Sequence, residues 1–142
     1  MTNDVRSVSA EQATLRINEI ASHLWMIRTF LKHADEIQED AEMLEVPRMI
    51  FDYIRALEPS TLVGDFARCV RLARGKLPKL RRVQEYFARE HRRVSDHTNF
   101  QMAALSLTAC VARIEEILAA EKSTAVAPDT TIAPDAEESS CT

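Results

Sequence analysis

Apolar residues in this chain recur at alternating steps of four and three rather than two, a spacing that predicts helices. The first run is Ala13, Ile17, Ile20, Leu24, Ile27, Leu31 and Ala34, continued with one slip by Ile37, Ala41 and Leu44. Ser9, with Gln12 three residues on, has the capping-box pattern. The expected element is one long helix from about Ala10 to Leu44, a rod of roughly 52 Å at 1.5 Å per residue. A second stripe of Met26, Phe30 and Ile37 widens its buried face, as if it met two neighbours. Pro47 suits the first turn of a short second helix, where its missing N–H costs nothing. Ile50, Ile54 and Leu57 line the inner face of that helix, with Met49 and Tyr53 beside them. Glu58-Pro59-Ser60 is expected to end it, because a residue before proline disfavours helical backbone.

A third run begins near Thr61 or Leu62 and carries Phe66, Val70, Ala73, Leu77 and Leu80, then Phe87, His91 and Val94 in the same phase. Gly75 and Pro78 interrupt it. This is either one helix kinked at residues 75–78 or two helices with Gly75 as a cap. The preserved phase favours one. Ser95 is the N-cap candidate of a last helix with the seam Phe100, Ala104, Leu107, Val111, Ile114 and Leu118, closed by Glu121-Lys122. The expected fold is all-α: an antiparallel up-and-down bundle of three long helices and one short one. It spans residues 9–122, after a flexible N-terminus at 1–8. Residues 123–142, where VAPD and IAPD repeat, read as a disordered acidic tail.

Composition narrows the chemistry. The chain has 142 residues, enough for one domain, and 46% of them are apolar, which suits a packed core. Its two glycines, Gly64 and Gly75, leave no way to write a P-loop or a dinucleotide-binding loop. The polar start MTNDVRSVSAEQ lacks the pattern of a signal peptide, and no apolar window is long enough for a membrane span. A cytoplasmic protein with no membrane contact is expected. Cys69, Cys110 and Cys141 are odd in number and widely spaced, which fits reduced thiols rather than disulfides or a zinc set. Long apolar stripes also make a symmetric homodimer the expected assembly.

Charge is segregated along the chain. Residues 1–46 hold 4 basic and 9 acidic side chains, residues 47–94 hold 12 and 5, and residues 95–142 hold 2 and 8. The basic block centres on Arg68, Arg71, Arg74, Lys76, Lys79, Arg81, Arg82, Arg89, Arg92 and Arg93. A stripe of this density attracts phosphates or acidic protein surfaces. The same stripe also fits a place beside the acidic run Asp35 to Glu45, within one subunit or across a dimer. Arg68, Arg71, Arg82, Arg89, Arg92 and Arg93 are the partner-binding candidates. Trp25, on a polar strip with Asn18, Ser22, Thr29 and Lys32, is another, unless the short second helix covers it.

His91 and His97 flank the Val94-Ser95 turn and belong at one bundle end, with Asp96 and Asn99 nearby. Two histidines fall short of a metal ligand set, and no Glu-x-x-His occurs for a di-iron bundle. No metal and no cofactor is therefore expected. A metal-binding bundle is the third reading. Arg92–His97 and Arg28–His33 each have four intervening residues, and Arg16–His23 has six. This spacing resembles that of HEPN-type helical ribonucleases. The resemblance covers six residues and implies RNA cleavage by an arginine and a histidine, usually across a dimer. Here Arg93 replaces the polar residue that usually follows the arginine. Arg92, His97, Arg28 and His33 are the RNA-site candidates under this reading. The leading expectation is a non-enzymatic interaction or adaptor protein with no catalytic residue, acting through self-association and the Arg-rich helix. The alternative is an RNA-binding or RNA-cleaving bundle.

Overall fold

The computed structural model describes the backbone of residues 7–129 and the side chains of residues 7–121. Five helices follow one another: α1 (Ala10–His33), α2 (Asp35–Gln38), α3 (Glu45–Leu62), α4 (Phe66–Val94) and α5 (Thr98–Asp129). The fold is the all-α helical bundle that the spacing predicts. Each long helix packs on the next in the chain, and α5 closes the ring on α1. Helices α1 and α4 also meet across the centre. Neighbours run antiparallel. Arg74 pairs with Glu121, Arg81 with Glu115 and Gln84 with Thr108, so numbers rise along α4 as they fall along α5.

The seams point inward as read. Ile17, Ile20, Leu24, Ile27 and Leu31 of α1 meet Phe87, Leu80, Leu77 and Val70 of α4 and the whole α5 seam in one core. The Ser9 capping box forms in both directions: Gln12 N–H donates to the Ser9 hydroxyl at 3.0 Å, and Ser9 N–H donates to the Gln12 side chain at 3.1 Å. Val8, assigned to the flexible start, is buried against the core.

Five boundaries differ from the reading. Helix α1 ends at His33 rather than Leu44, because Ala34 is extended (φ −86°, ψ 126°). The slip in the apolar spacing marks this break, and the acid-rich run beyond it has no bases to support a helix. After the break the Gln38 amide donates to the Lys32 carbonyl, and Asp40 accepts the Met43 N–H at 3.0 Å. Ile37 and Met43 are fully buried, whereas Ala41 is exposed. Helix α3 runs through Pro59 to Leu62, with Ser60 buried past the proline. Packing there outweighs the bias against helix before a proline.

Helix α4 therefore starts at Phe66, with Asp65 accepting the Arg68 N–H at 3.2 Å. The reversal before it needs Gly64, whose φ of +75° is left-handed. Gly64 and Asp65 N–H donate back to the Thr61 and Ser60 carbonyls, a helix-ending motif. Helix α4 is continuous through Gly75 and Pro78. Ser95 is the C-cap of α4, and its hydroxyl accepts the His97 N–H at 3.0 Å. Helix α5 extends past Lys122 to Asp129. Residues 130–142 of the expected tail, Cys141 included, lie outside the described residues. No helix among the described residues is long and apolar enough to cross a membrane.

Candidate basic docking surface

The bundle sorts the basic residues of α4 by face. Its inner stripe of Val70, Ala73, Leu77, Leu80 and Phe87 is buried. That leaves Arg68, Arg71, Lys76, Lys79, Arg82, Arg89 and Arg92 exposed. At 100° per residue, Arg71, Gly75, Arg82 and Arg89 form one outward row, with Lys79 and Arg68 beside it. Arg92 lies at the edge toward α5. From Arg68 to Arg92 the surface runs about 36 Å along the axis.

Four of the ten cations are drawn into ion pairs. Arg74 donates to Glu121 at 2.5 Å and to the Leu118 carbonyl at 3.1 Å. Arg81 donates to Glu115 at 2.7 Å. Both tie α4 to α5. Arg93 makes the densest set of contacts, donating to Asp40 at 2.7 Å, to the Tyr86 hydroxyl at 2.7 Å and to Glu90 at 3.3 Å. Tyr86 in turn donates to Glu42 at 3.3 Å. The Arg93 hydrogen bond, with that from Met43 N–H behind it, holds the Asp40 carboxyl below its usual range. This clasp pins the acidic turn after α2 onto the end of α4. The within-subunit alternative is thus met by Arg93 alone, which does not join the open row. Arg89 pairs only with its neighbour Glu90, at 3.5 Å, and lies over the Tyr86 ring. Arg68, Arg71, Lys76, Lys79, Arg82 and Arg92 have no ion pair among the described residues.

The row is not uniformly positive. Arg82, Tyr86 and Arg89 share a shallow groove with Glu42 and Glu45. Glu85 is exposed on the same helix. Tyr86, the sole aromatic beside the row, is half-buried and hydrogen-bonded.

Trp25 sits against α3, its ring centroid 5.9 Å from that of Phe51. The Arg28 guanidinium covers both rings at 4.3 and 4.7 Å. Trp25 is thus half-buried beside α3. Arg28 and His33 are both on α1, but Arg28 is held by the aromatic pair. His33 lies at the helix end, where Nδ1 is 3.0 Å from the Thr29 carbonyl. Arg92 is in the last turn of α4, whereas His97 lies outside the helices, in the turn at residues 95–97 that leads into α5. His97 Nδ1 accepts the Asn99 N–H at 3.0 Å, which makes the imidazole the cap of α5. His91 is buried, with Nδ1 3.1 Å from the Phe87 carbonyl. Among the described residues no three His, Cys, Asp or Glu side chains cluster as a metal set. Cys69 and Cys110 are buried, and burial raises the Cys110 thiol above its usual range.

Sequence spacing did not reveal the division of the basic residues into two groups, since it depends on where α5 and the acidic turn lie. It also missed Phe51 as the partner of Trp25, although the two aromatics sit on adjacent helices. No known protein family, curated protein or solved structure matches this chain.

Proposed function

We propose that this protein is a non-enzymatic interaction module that binds an acidic protein partner through the outer face of α4. The observation that carries the reading is the row of exposed arginines and lysines, of which only Arg89 has a carboxylate partner, its neighbour Glu90. Solvated cations in a row steer an oppositely charged surface and fix its register. Two features favour a protein over a nucleic acid. No exposed aromatic interleaves the row to stack a base. Glu42, Glu45 and Glu85 border it, and a continuous phosphate backbone would meet them as repulsion. A protein surface of mixed charge is able to match both signs. The proposed place of action is the cytoplasm.

The test compares a fluorescent glutamate-rich peptide with a labelled single-stranded RNA by anisotropy, at low and at physiological salt. The expected result is saturable peptide binding that weakens with salt and drops at least roughly tenfold in Arg71→Glu/Arg82→Glu/Arg89→Glu. Preference for RNA supports the nucleic-acid alternative, and RNA cuts lost in His97→Ala would restore the ribonuclease reading. Flat titrations with both remove α4 as the docking surface.

Self-association as a homodimer has its own support. Met26 of α1 is 65% exposed and Leu105 of α5 is 63% exposed, on neighbouring helices. Leu15 and Met102 are exposed there too. Large apolar side chains grouped on one side favour a second copy as cover. Of the stripe of Met26, Phe30 and Ile37, Ile37 is buried and Phe30 packs on Phe100 as expected, and Met26 is the member left exposed. Sedimentation velocity of the native chain against Met26→Glu/Leu105→Glu decides it: a native dimer that the pair dissociates supports the reading, and a native monomer ends it.

A further inference from the structure

The basic row has carboxylates of its own chain within reach. Beyond Lys122 the sequence holds Asp129, Asp135, Glu137 and Glu138 and no lysine or arginine. Residues 135–138, Asp-Ala-Glu-Glu, set three carboxylates side by side. That is the chemistry an arginine-rich surface attracts.

The fold brings this run to one end of the row. Arg74 of α4 holds Glu121 of α5 at 2.5 Å, and the two helices run antiparallel. From Glu121, α5 continues to Asp129, about 12 Å further along its axis. Helix α4 starts at Phe66, the same distance before Arg74. The chain therefore leaves α5 level with the first turn of α4. Arg68 lies in that turn, and Arg71 one turn further on.

Reach selects the near half of the row. An extended chain advances at most about 3.3–3.6 Å per residue, so residues 135–138 extend at most about 20–32 Å beyond Asp129. From the level of Phe66, Lys79 lies about 20 Å along α4 and Arg89 about 35 Å. Arg68, Arg71 and Lys79 fall within the span, and Arg89 falls outside it.

Charge selects the same half. Glu42 and Glu45 share the groove of Arg82 and Arg89 and repel a carboxylate there. In the near half Arg74 is taken by Glu121, but Arg68, Arg71, Lys76 and Lys79 have no ion pair among the described residues. Asp65 caps α4 beside Arg68, and Asp52 lines a groove with Lys76 and Lys79. Two carboxylates against four cations leave this half positive.

We propose that the carboxylates of residues 135–138 fold back onto Arg68, Arg71 and Lys79 and compete there with the acidic partner. A tether of this length holds them at a local concentration on the order of millimolar, enough for weak, salt-screened pairs to compete. The competition rests on the reading of the row as an acidic-protein site, whereas the contact itself does not.

The experiment compares the full chain with its Asp135→Asn/Glu137→Gln/Glu138→Gln variant, which keeps side-chain shape and removes charge. Two readouts are taken at low salt: backbone amide NMR without ligand, and anisotropy of the fluorescent glutamate-rich peptide. The expected result is shift differences over residues 68–79, none around Arg89, that vanish in about 0.5 M salt. The variant should bind the peptide at least about threefold more tightly. Matching α4 spectra in the two chains overturn the proposal. Differences that fade on dilution overturn it too, because they arise from the tail of a second copy. Differences with equal peptide affinity overturn the competition. Differences without peptide binding to either chain support the contact and overturn the partner reading.

Discussion

Helix α4 carries a glycine and a proline three residues apart in its middle, and both oppose helix. Gly75 is exposed, and a Cβ built on it meets nothing within 4 Å. Gly75→Ala should therefore recover the propensity difference of about 0.8–1.0 kcal/mol without strain. Pro78 is also exposed and lacks the N–H that would donate to the Arg74 carbonyl. Pro78→Ala supplies that donor. The gain lies between about 1 kcal/mol for one hydrogen bond and ~3 kcal/mol for the full proline penalty. At about 4 °C per kcal/mol for a chain of this size, Gly75→Ala should raise Tm by about 4 °C and Pro78→Ala by at least as much. Urea titrations followed by circular dichroism check this, with an unchanged m-value as evidence that the same surface is buried. A fall in stability on Pro78→Ala would refute the reasoning. It would mean that α4 packs on α3 and α5 only when bent by the ring.

Two pH predictions follow from buried and clasped groups. Tyr53 is buried and donates to the Ala73 carbonyl at 3.0 Å, and burial, with Cys69 adding to it, pushes its phenol above the usual value of 10.0. The unfolded chain then loses this proton first, so stability is fully present below about pH 10 and declines as pH rises toward the folded value. Tyr53→Phe should flatten that alkaline decline in thermal melts and cost about 1 kcal/mol at neutral pH. Asp40 is shifted the other way by Arg93, below its usual 3.8. Its contribution is present above about pH 4 and is lost as pH falls through the folded value. Arg93→Met should remove that acid-side dependence, and pH-resolved carbonyl NMR of Asp40 should show the carboxyl returning toward its usual range.

The seams were legible because a buried helix face has a fixed period. Phe100, Ala104, Leu107, Val111, Ile114 and Leu118 are all buried, as their spacing requires. Boundaries were less legible where two local rules competed. Pro59 argues for a stop, yet Ser60 finds cover beyond it and α3 runs on to Leu62. Ala34 looks like any helix residue, and only the slip in phase between Ala34 and Ile37 marks the break. The division of the arginines was not legible at all. Arg74, Arg81 and Arg93 differ from Arg71, Arg82 and Arg89 only in angle around the helix, and the carboxylates that meet them come from up to 53 residues away.

The central claim is that the open row on α4 is where an acidic partner docks. Backbone amide NMR of the labelled protein, titrated with the glutamate-rich peptide, tests it most directly. The account predicts shift changes concentrated on the outer face of α4, around Arg71, Lys79, Arg82 and Arg89, and suppressed by salt. Changes confined to the α1–α3 face or to the α1–α5 face would contradict it.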